Sequence, residues 1–322
     1  VLQKAVAYAR EKGVVVVCAA GNDGRGRVSY PAAYPGAVAV AATQFDEATT
    51  FYSNWGKEID IAAPGGNTRI DQNNDGMMDG VLQNTVVPGR TSENDYLLFM
   101  GTSMASPHIA GVVALIMSTG VTDPDAVEKI LLESARKPQG KSDWMKKGPE
   151  NRYGAGISDA GAAVKLAKRT VGGGELGMAA FAAIVLGALA HRRGGALKLG
   201  VGGVASLVMF SSGLFLLPEL VPTGAAMCGK TMSILSGPIW LSSNPLLASA
   251  ALPIAAVLLL YGVRKLRPVL VGLTLGVGGS LLFHAMVRTF DVAWMPNLFD
   301  GAWLAINGLI ALTIGYLVMR KE

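Results

Sequence analysis

Gly101-Thr102-Ser103-Met104-Ala105-Ser106-Pro107-His108-Ile109-Ala110-Gly111 is the stretch on which the reading of this chain turns. Its small polar opening leads into apolar positions, Ile109, Val112, Val113 and Ile116, that recur at helical spacing. Ser103 therefore falls at or near a helix N-terminus, where unpaired N–H groups and the helix dipole favour negative charge. A hydroxyl there can attack a carbonyl, with backbone donors ready for the oxyanion that forms. The plainer alternative is that Thr102 or Ser103 only caps the helix, the commonest use of such residues.

Upstream of this stretch, Val1 to Lys12 reads as an amphipathic helix with Leu2, Ala5, Val6 and Ala9 on one face, stopped by Gly13. Val14 to Ala20 is a continuous β-branched run, the pattern of a strand buried on both faces of a parallel sheet. It ends in Ala19-Ala20-Gly21-Asn22-Asp23-Gly24, and ligands gather at the carboxyl ends of such strands. From this loop alone, Asn22 reads equally well as a turn residue that tolerates left-handed backbone. Val38 to Ala42 is a second strand. Downstream, Thr122-Asp123-Pro124-Asp125 starts another helix, with Thr122 or Asp123 as its cap.

Taken with the eleven-residue string, several segments resemble the subtilisin-like serine peptidases in the family's own order. They are Ala19–Asn22, Tyr30-Pro31-Ala32-Ala33-Tyr34-Pro35, Phe51–Gly56, Ile59–Gly65 and Tyr153–Ala160. The resemblance covers about Val1 to Lys168 and implies an α/β fold, the C-terminal portion of a parallel-sheet domain. It implies Ser103 as nucleophile and the Asn22 side-chain amide as oxyanion donor. It also implies that Ala19, Ala20, Gly21 and Pro31 line the primary specificity pocket, with room for a large apolar side chain, and that the Tyr30–Pro31 bond is cis. Phe51–Gly56 and Ile59–Gly65 look like framework and are assigned no chemistry. The substrates implied are proteins or peptides, and the chemistry requires no cofactor.

A serine nucleophile needs a base, and the base needs an orienting carboxylate. The chain has three histidines. His108 lies on the nucleophile's own helix, and His191 and His284 fall in the apolar second half, so none fits. The family order Asp, His, Ser places both missing partners before Val1. The chain opens at Val1 without initiator Met or signal peptide, so the natural N-terminus is expected upstream. The competing account is a degenerate peptidase domain serving as a non-catalytic receptor or scaffold.

Asp71-Gln72-Asn73-Asn74-Asp75-Gly76-Met77-Met78-Asp79 carries another signal. Oxygen side chains at Asp71, Asn73, Asp75 and Asp79, with Gly76 at the turn, imitate the start of a calcium loop. Leu82 stands where the closing acid is expected. A calcium here would be structural. A solvated Asn/Asp/Gly turn is the alternative.

The composition divides the chain in two. Of 322 residues, 51% are hydrophobic and 16% charged, against about 25% charged in ordinary soluble domains. Almost all acids precede Gly177, and long apolar runs fill the remainder. This predicts a peptidase part over residues 1–170, a Gly-rich flexible link over 171–176 and an all-α transmembrane bundle over 177–322. Five spans are expected, near 176–190, 197–217, 246–263, 269–287 and 302–319, judged against the roughly 20 residues a bilayer demands. Basic clusters at 191–198, 264–267 and 320–321 would face the cytoplasm, leaving the peptidase part on the extracytoplasmic side. Lys165, Lys168 and Arg169 run against that orientation. Trp240, Trp294 and Trp303 would lie at the interfaces. His284 is expected to reach the interface at a span end, and the spans carry no acid that suggests a proton or ion pathway. The net charge of +5 reads as membrane topology, and no motif points to nucleic acid. Cys18 and Cys228 make no disulfide framework.

Overall fold

Runs of Val and Ala in the first half of the chain form a parallel sheet, because small and β-branched side chains pack on both faces of neighbouring strands. Val16–Ala19 (β1), Ala37–Thr43 (β2) and Ile61–Pro64 (β3) stand in that order, each parallel to the next, with Cys18 opposite Ala39 and Ala41 opposite Ala62. The computed structural model describes residues 1–87, 89–139, 151–193, 199–211, 249–287 and 299–320. They divide into two compact units, Val1–Ala167 and Lys168–Glu322.

In the first unit β2 is buried along its whole length. β1, expected to be covered on both faces, is only half-buried, because among the described residues it stands at the sheet edge with a neighbour on one side. The amphipathic helix Leu2–Glu11 (α1) forms, burying Val6 and leaving Leu2 and Tyr8 exposed. Thr102–Met117 (α2) packs on the sheet through Ala105, Ile109, Val112, Val113 and Ile116, all buried. The apolar stripe read from the sequence is thus the face that meets the sheet, each large side chain contributing about 1.5–3 kcal/mol on burial. Asp123 caps Pro124–Glu133 (α3), accepting from Ala126 N at 2.9 Å. An antiparallel hairpin, Val81–Val87 (β4) and Arg90–Phe99 (β5), precedes α2. The sequence reading did not anticipate it. Leu82 and Val86 lie on its exposed side, so apolar residues fall on both faces and the period-2 signal is blurred.

The second unit is helical. Ala160–Arg192 (α4) is a single helix of 33 residues, so the link expected over residues 171–176 is a correction: Gly172–Gly174 is helical. Helix-forming alanines flank the glycines, and Gly174 lies where an added Cβ would stand 2.3 Å from the Phe283 ring. Smallness, not flexibility, is what that position uses. Gly200–Ser211 (α5), Ala251–Leu260 (α6), a 3-10 turn at Arg264–Leu266, Arg267–Val287 (α7) and Asp300–Arg320 (α8) follow. α7 is the central element, buried from Leu270 to Leu281. Its glycines let neighbours approach closely: a Cβ on Gly272 would stand 2.1 Å from Gly203 O, and one on Gly279 would stand 2.4 Å from Ala179 Cα.

Three helical stretches among the described residues, Ala160–Arg192, Arg264–Val287 and Asp300–Met319, are long and apolar enough to cross a membrane. They match the first, fourth and fifth of the expected spans. Of the expected spans at 197–217 and 246–263, α5 and α6 are described; residues 197–198, 212–217 and 246–248, like Cys228, Trp240 and Trp294, lie outside the described residues. His284 is also a correction. It is buried and bonds Glu175 of α4, an acid just outside the first expected span.

Candidate active site

The site is assembled where β1 ends and α2 begins. Ala20 N donates to Val40 O at 3.0 Å, carrying the sheet pattern one residue beyond β1. Gly21 then turns the chain at φ +108°, a conformation that side-chain-bearing residues rarely adopt. Gly101 opens α2 in the same positive-φ region, at +155°. Its N–H is held by Gly65 O at 3.0 Å.

Asn22 meets the start of α2 across 80 residues of sequence. Its Oδ1 accepts from Thr102 N at 2.9 Å and from Thr102 Oγ1 at 2.9 Å. Thr102 Oγ1 in turn accepts from Gly21 N at 3.2 Å. Neither Thr102 nor Ser103 caps its own helix: the N-cap is Gly101, with no side-chain cap bond. Met104 N and Ala105 N both donate to Gly101 O, at 2.9 and 3.3 Å. Ser103 is exposed, and among the described residues neither its N–H nor its Oγ has a hydrogen-bond partner.

Because Oδ1 is held by Thr102, the Asn22 amide nitrogen faces the other way. A Cβ built on Gly101 would stand 3.6 Å from Asn22 Nδ2 and 3.6 Å from Ser103 N. Two donors thus lie within 3.6 Å of one point at the start of α2, at the positive end of a helix dipole. Donors near one point at a helix start are the kind of group that stabilises an oxyanion.

Asn54 was missed by the sequence reading, which assigned its segment no chemistry. It is fully buried. Its Oδ1 accepts from Asp23 N at 3.0 Å and Arg25 N at 3.4 Å; its Nδ2 donates to Ala20 O and Ser29 Oγ, both at 3.2 Å, and lies 3.3 Å from Asp23 Oδ2. Its backbone N–H donates to Gly21 O at 2.9 Å. Asn54 thus fixes the loop on both sides of Asn22. Buried polar networks of this kind carry no periodic signal; the one hint is a polar residue in an otherwise apolar framework.

Ser29 N donates to Ala20 O at 2.9 Å, which brings the Tyr30-Pro31 segment beside Ala20 and Gly21. Ala20 is buried, Ala19 and Gly21 are half-buried, and the Tyr30–Pro31 peptide is cis. His108 turns back along α2, its Nδ1 2.7 Å from Met104 O. Among the described residues no imidazole or carboxylate bonds Ser103 Oγ.

The loop from Asp71 to Asp79 uses its oxygens on its own N–H groups. Asp71 Oδ2 accepts from Gly76 N at 2.9 Å, Asn73 Oδ1 from Asp75 N at 2.9 Å, and Asp79 Oδ2 from Gln72 N at 2.6 Å. Among the described residues no group of three or more His, Cys, Asp or Glu converges to hold a metal ion. Calcium here rests on the sequence pattern alone.

Residues 1–156 match the subtilase family. Over these residues the first unit is similar to the subtilisin-like peptidases. An extracellular protease of Xanthomonas campestris is 40% identical over 169 residues, covering 52% of this chain and 26% of that protein. Thermitase of Thermoactinomyces vulgaris is 35% identical over 154 residues, covering 48% of each. A solved protease structure from Pseudoalteromonas arctica is 38% identical, covers 51% of this chain and 46% of that one, and superposes with a TM-score of 0.44. The chain therefore spans between a quarter and a half of the length of these relatives. Outside the subtilisin-like domain, residues 176–322 match a domain of unknown function, DUF5942.

Proposed function

We propose that this chain is part of a membrane-anchored serine endopeptidase whose nucleophile is Ser103. Ser103 Oγ attacks the scissile carbonyl of a protein or peptide. The bond from Oγ to the carbonyl carbon forms as the C=O π electrons move to oxygen, and the hydroxyl proton passes to an imidazole base. The oxyanion is held by Asn22 Nδ2 and Ser103 N–H. Collapse expels the amine and leaves an acyl-enzyme that water hydrolyses. Ala19, Ala20, Gly21 and Pro31 line the pocket for the side chain preceding the cleaved bond. We assign the base and its carboxylate to residues outside these 322, in the order the resemblance implies.

The observation that supports this reading is the pinning of Asn22 Oδ1 by Thr102, with Asn22 Nδ2 and Ser103 N each 3.6 Å from a Cβ built on Gly101. The apolar helices serve as the bilayer anchor, with the peptidase domain on the extracytoplasmic face, as the basic residues at 192–193 and 264–267 support. The sequence pattern alone supports a structural calcium at Asp71, Asn73, Asp75 and Asp79, whose oxygens here serve the loop's own N–H groups. Calcium titration followed by tryptophan fluorescence tests that part, and a flat response would remove it.

Fluorophosphonate labelling of the natural protein in its own membranes, followed by peptide mapping, tests the catalytic part. Modification of Ser103, lost in Ser103→Ala, is the expected result. The absence of any imidazole bonded to Ser103 among the described residues favours a second reading, a non-catalytic receptor or scaffold. That reading requires peptide binding by a chain that takes no label.

A further inference from the structure

The second unit buries a carboxylic acid against an imidazole. Glu175 on α4 and His284 on α7 are 7% and 2% exposed, with Glu175 Oε1 2.6 Å from His284 Nε2. Ser280, one turn before His284, donates to the same Oε1 at 2.9 Å. Small residues bring the two helices together: a Cβ on Gly174 would enter the Phe283 ring, and one on Gly279 would overlap Ala179.

We infer that Glu175, His284 and Ser280 form a proton-binding site within the helical unit, one that takes up and releases a single proton. An N-to-O separation of 2.6 Å leaves no room for a metal ion, whose two bonds of about 2.0–2.2 Å hold such atoms further apart. A buried charged pair costs desolvation that apolar side chains of similar size avoid, so packing alone gives no reason to keep it. Ionisable groups so placed among apolar helices mark sites of proton handling. With the imidazole neutral and the carboxylate ionised, the pair carries one net negative charge. A proton taken from water makes it neutral, and its return to water restores the charge.

Other charged groups on the surrounding elements are few. α5 and α6 carry none. On α7 the other charged residue is Arg267, about 25 Å along the helix from His284. On α4, Lys168 and Arg169 precede Glu175 by about two turns. α8 brings Asp300, whose neighbour Gly301 lies against Ala285 O. Asp300 is therefore the acid that also faces this end of α7.

The test uses the full chain in phosphatidylcholine nanodiscs, with histidine ring nitrogens followed by 15N NMR against pH. The chain has three histidines, and His108→Gln and His191→Gln assign the signals. His284 is expected to exchange one proton in a single transition within the range scanned, about pH 4 to 10. Glu175→Gln is expected to lower its proton affinity about tenfold or more, because the facing negative charge is gone. Ser280→Ala is expected to raise it, because Oε1 loses a donor that stabilises the carboxylate. A His284 signal that stays constant over this range, or titrates identically in all three proteins, overturns the proposal. Should Glu175→Gln fail to fold, wild type and Ser280→Ala still decide.

Discussion

Asn22 has two polar ends, and the fold uses them differently. Its oxygen is taken by the backbone and hydroxyl of Thr102, which leaves its nitrogen to face the space beside Ser103. Replacing it by Asp keeps the oxygen contacts but puts negative charge where an oxyanion would form. In the natural protein, Asn22→Ala and Asn22→Asp are both expected to lower kcat while leaving KM nearly unchanged, with the Asp variant the worse. Loss of a comparable donor in a family member costs on the order of 10²–10³ in kcat. Steady-state kinetics on a peptide substrate checks this. Asn54 acts one step further back, through the loop that carries Asn22. Asn54→Ala is expected to lower kcat and also to destabilise the domain by about 1–3 kcal/mol, since Asp23 N and Arg25 N lose their buried acceptor. Asp60 makes a separate prediction. Burial raises its carboxyl to about 6, opposed by the Ala39 N–H it accepts, with Glu128 adding to the rise and Arg10 reducing it. The folded state thus holds a proton that the unfolded chain releases near its ordinary value of about 4. The contribution of Asp60 to stability is therefore greatest below about pH 4, falls as pH rises to about 6 and is flat above, a loss of about 3 kcal/mol in all. Asp60→Asn keeps an oxygen for Ala39 N–H and removes the ionisation. Thermal melts at pH 4 and pH 8 are expected to converge in that variant.

At the scale of elements, legibility in the sequence followed how each element is stabilised. α2 was legible twice over, from its apolar stripe and from the Gly-Thr-Ser string at its start. β2 was legible because Val and Ala are buried along the whole strand. The hairpin of β4 and β5 was not, because Leu82 and Val86 point outward and no single face is apolar. α4 was misread at Gly172–Gly174, where glycine serves close packing on Phe283 rather than chain flexibility. The same boundary hid Glu175, placed one residue outside the first expected span. The pairing of Ser103 with Asn22 followed from family order, whereas the Asn54 network depends on contacts across 25 to 34 residues that no local pattern shows. Gly279→Leu is expected to push α7 away from α4, since its first side-chain carbon would already overlap Ala179. Loss of helical cooperativity in a detergent melt checks this. Gly173→Ala, where a Cβ meets nothing within 4 Å, is expected to be tolerated and serves as control.

At the scale of the whole molecule, the chain joins a unit similar to the subtilases to a helical unit in which, among the described residues, three helices are long and apolar enough to span a bilayer. The proposed orientation makes an observable distinction. In a background with Cys18 and Cys228 replaced by Ser, Lys129→Cys is expected to react with a membrane-impermeant maleimide on intact cells. Lys265→Cys is expected to react only after permeabilisation, and the reverse pattern would invert the topology. The central claim, however, is the one made at Asn22 and Ser103. The most direct measurement is a crystal structure of the natural protein after reaction with a peptidyl phosphonate. The account predicts phosphorus bonded to Ser103 Oγ, with the phosphonyl oxygen about 2.7–3.1 Å from both Asn22 Nδ2 and Ser103 N. A phosphonyl oxygen turned to solvent, or an adduct on a different serine, would contradict it.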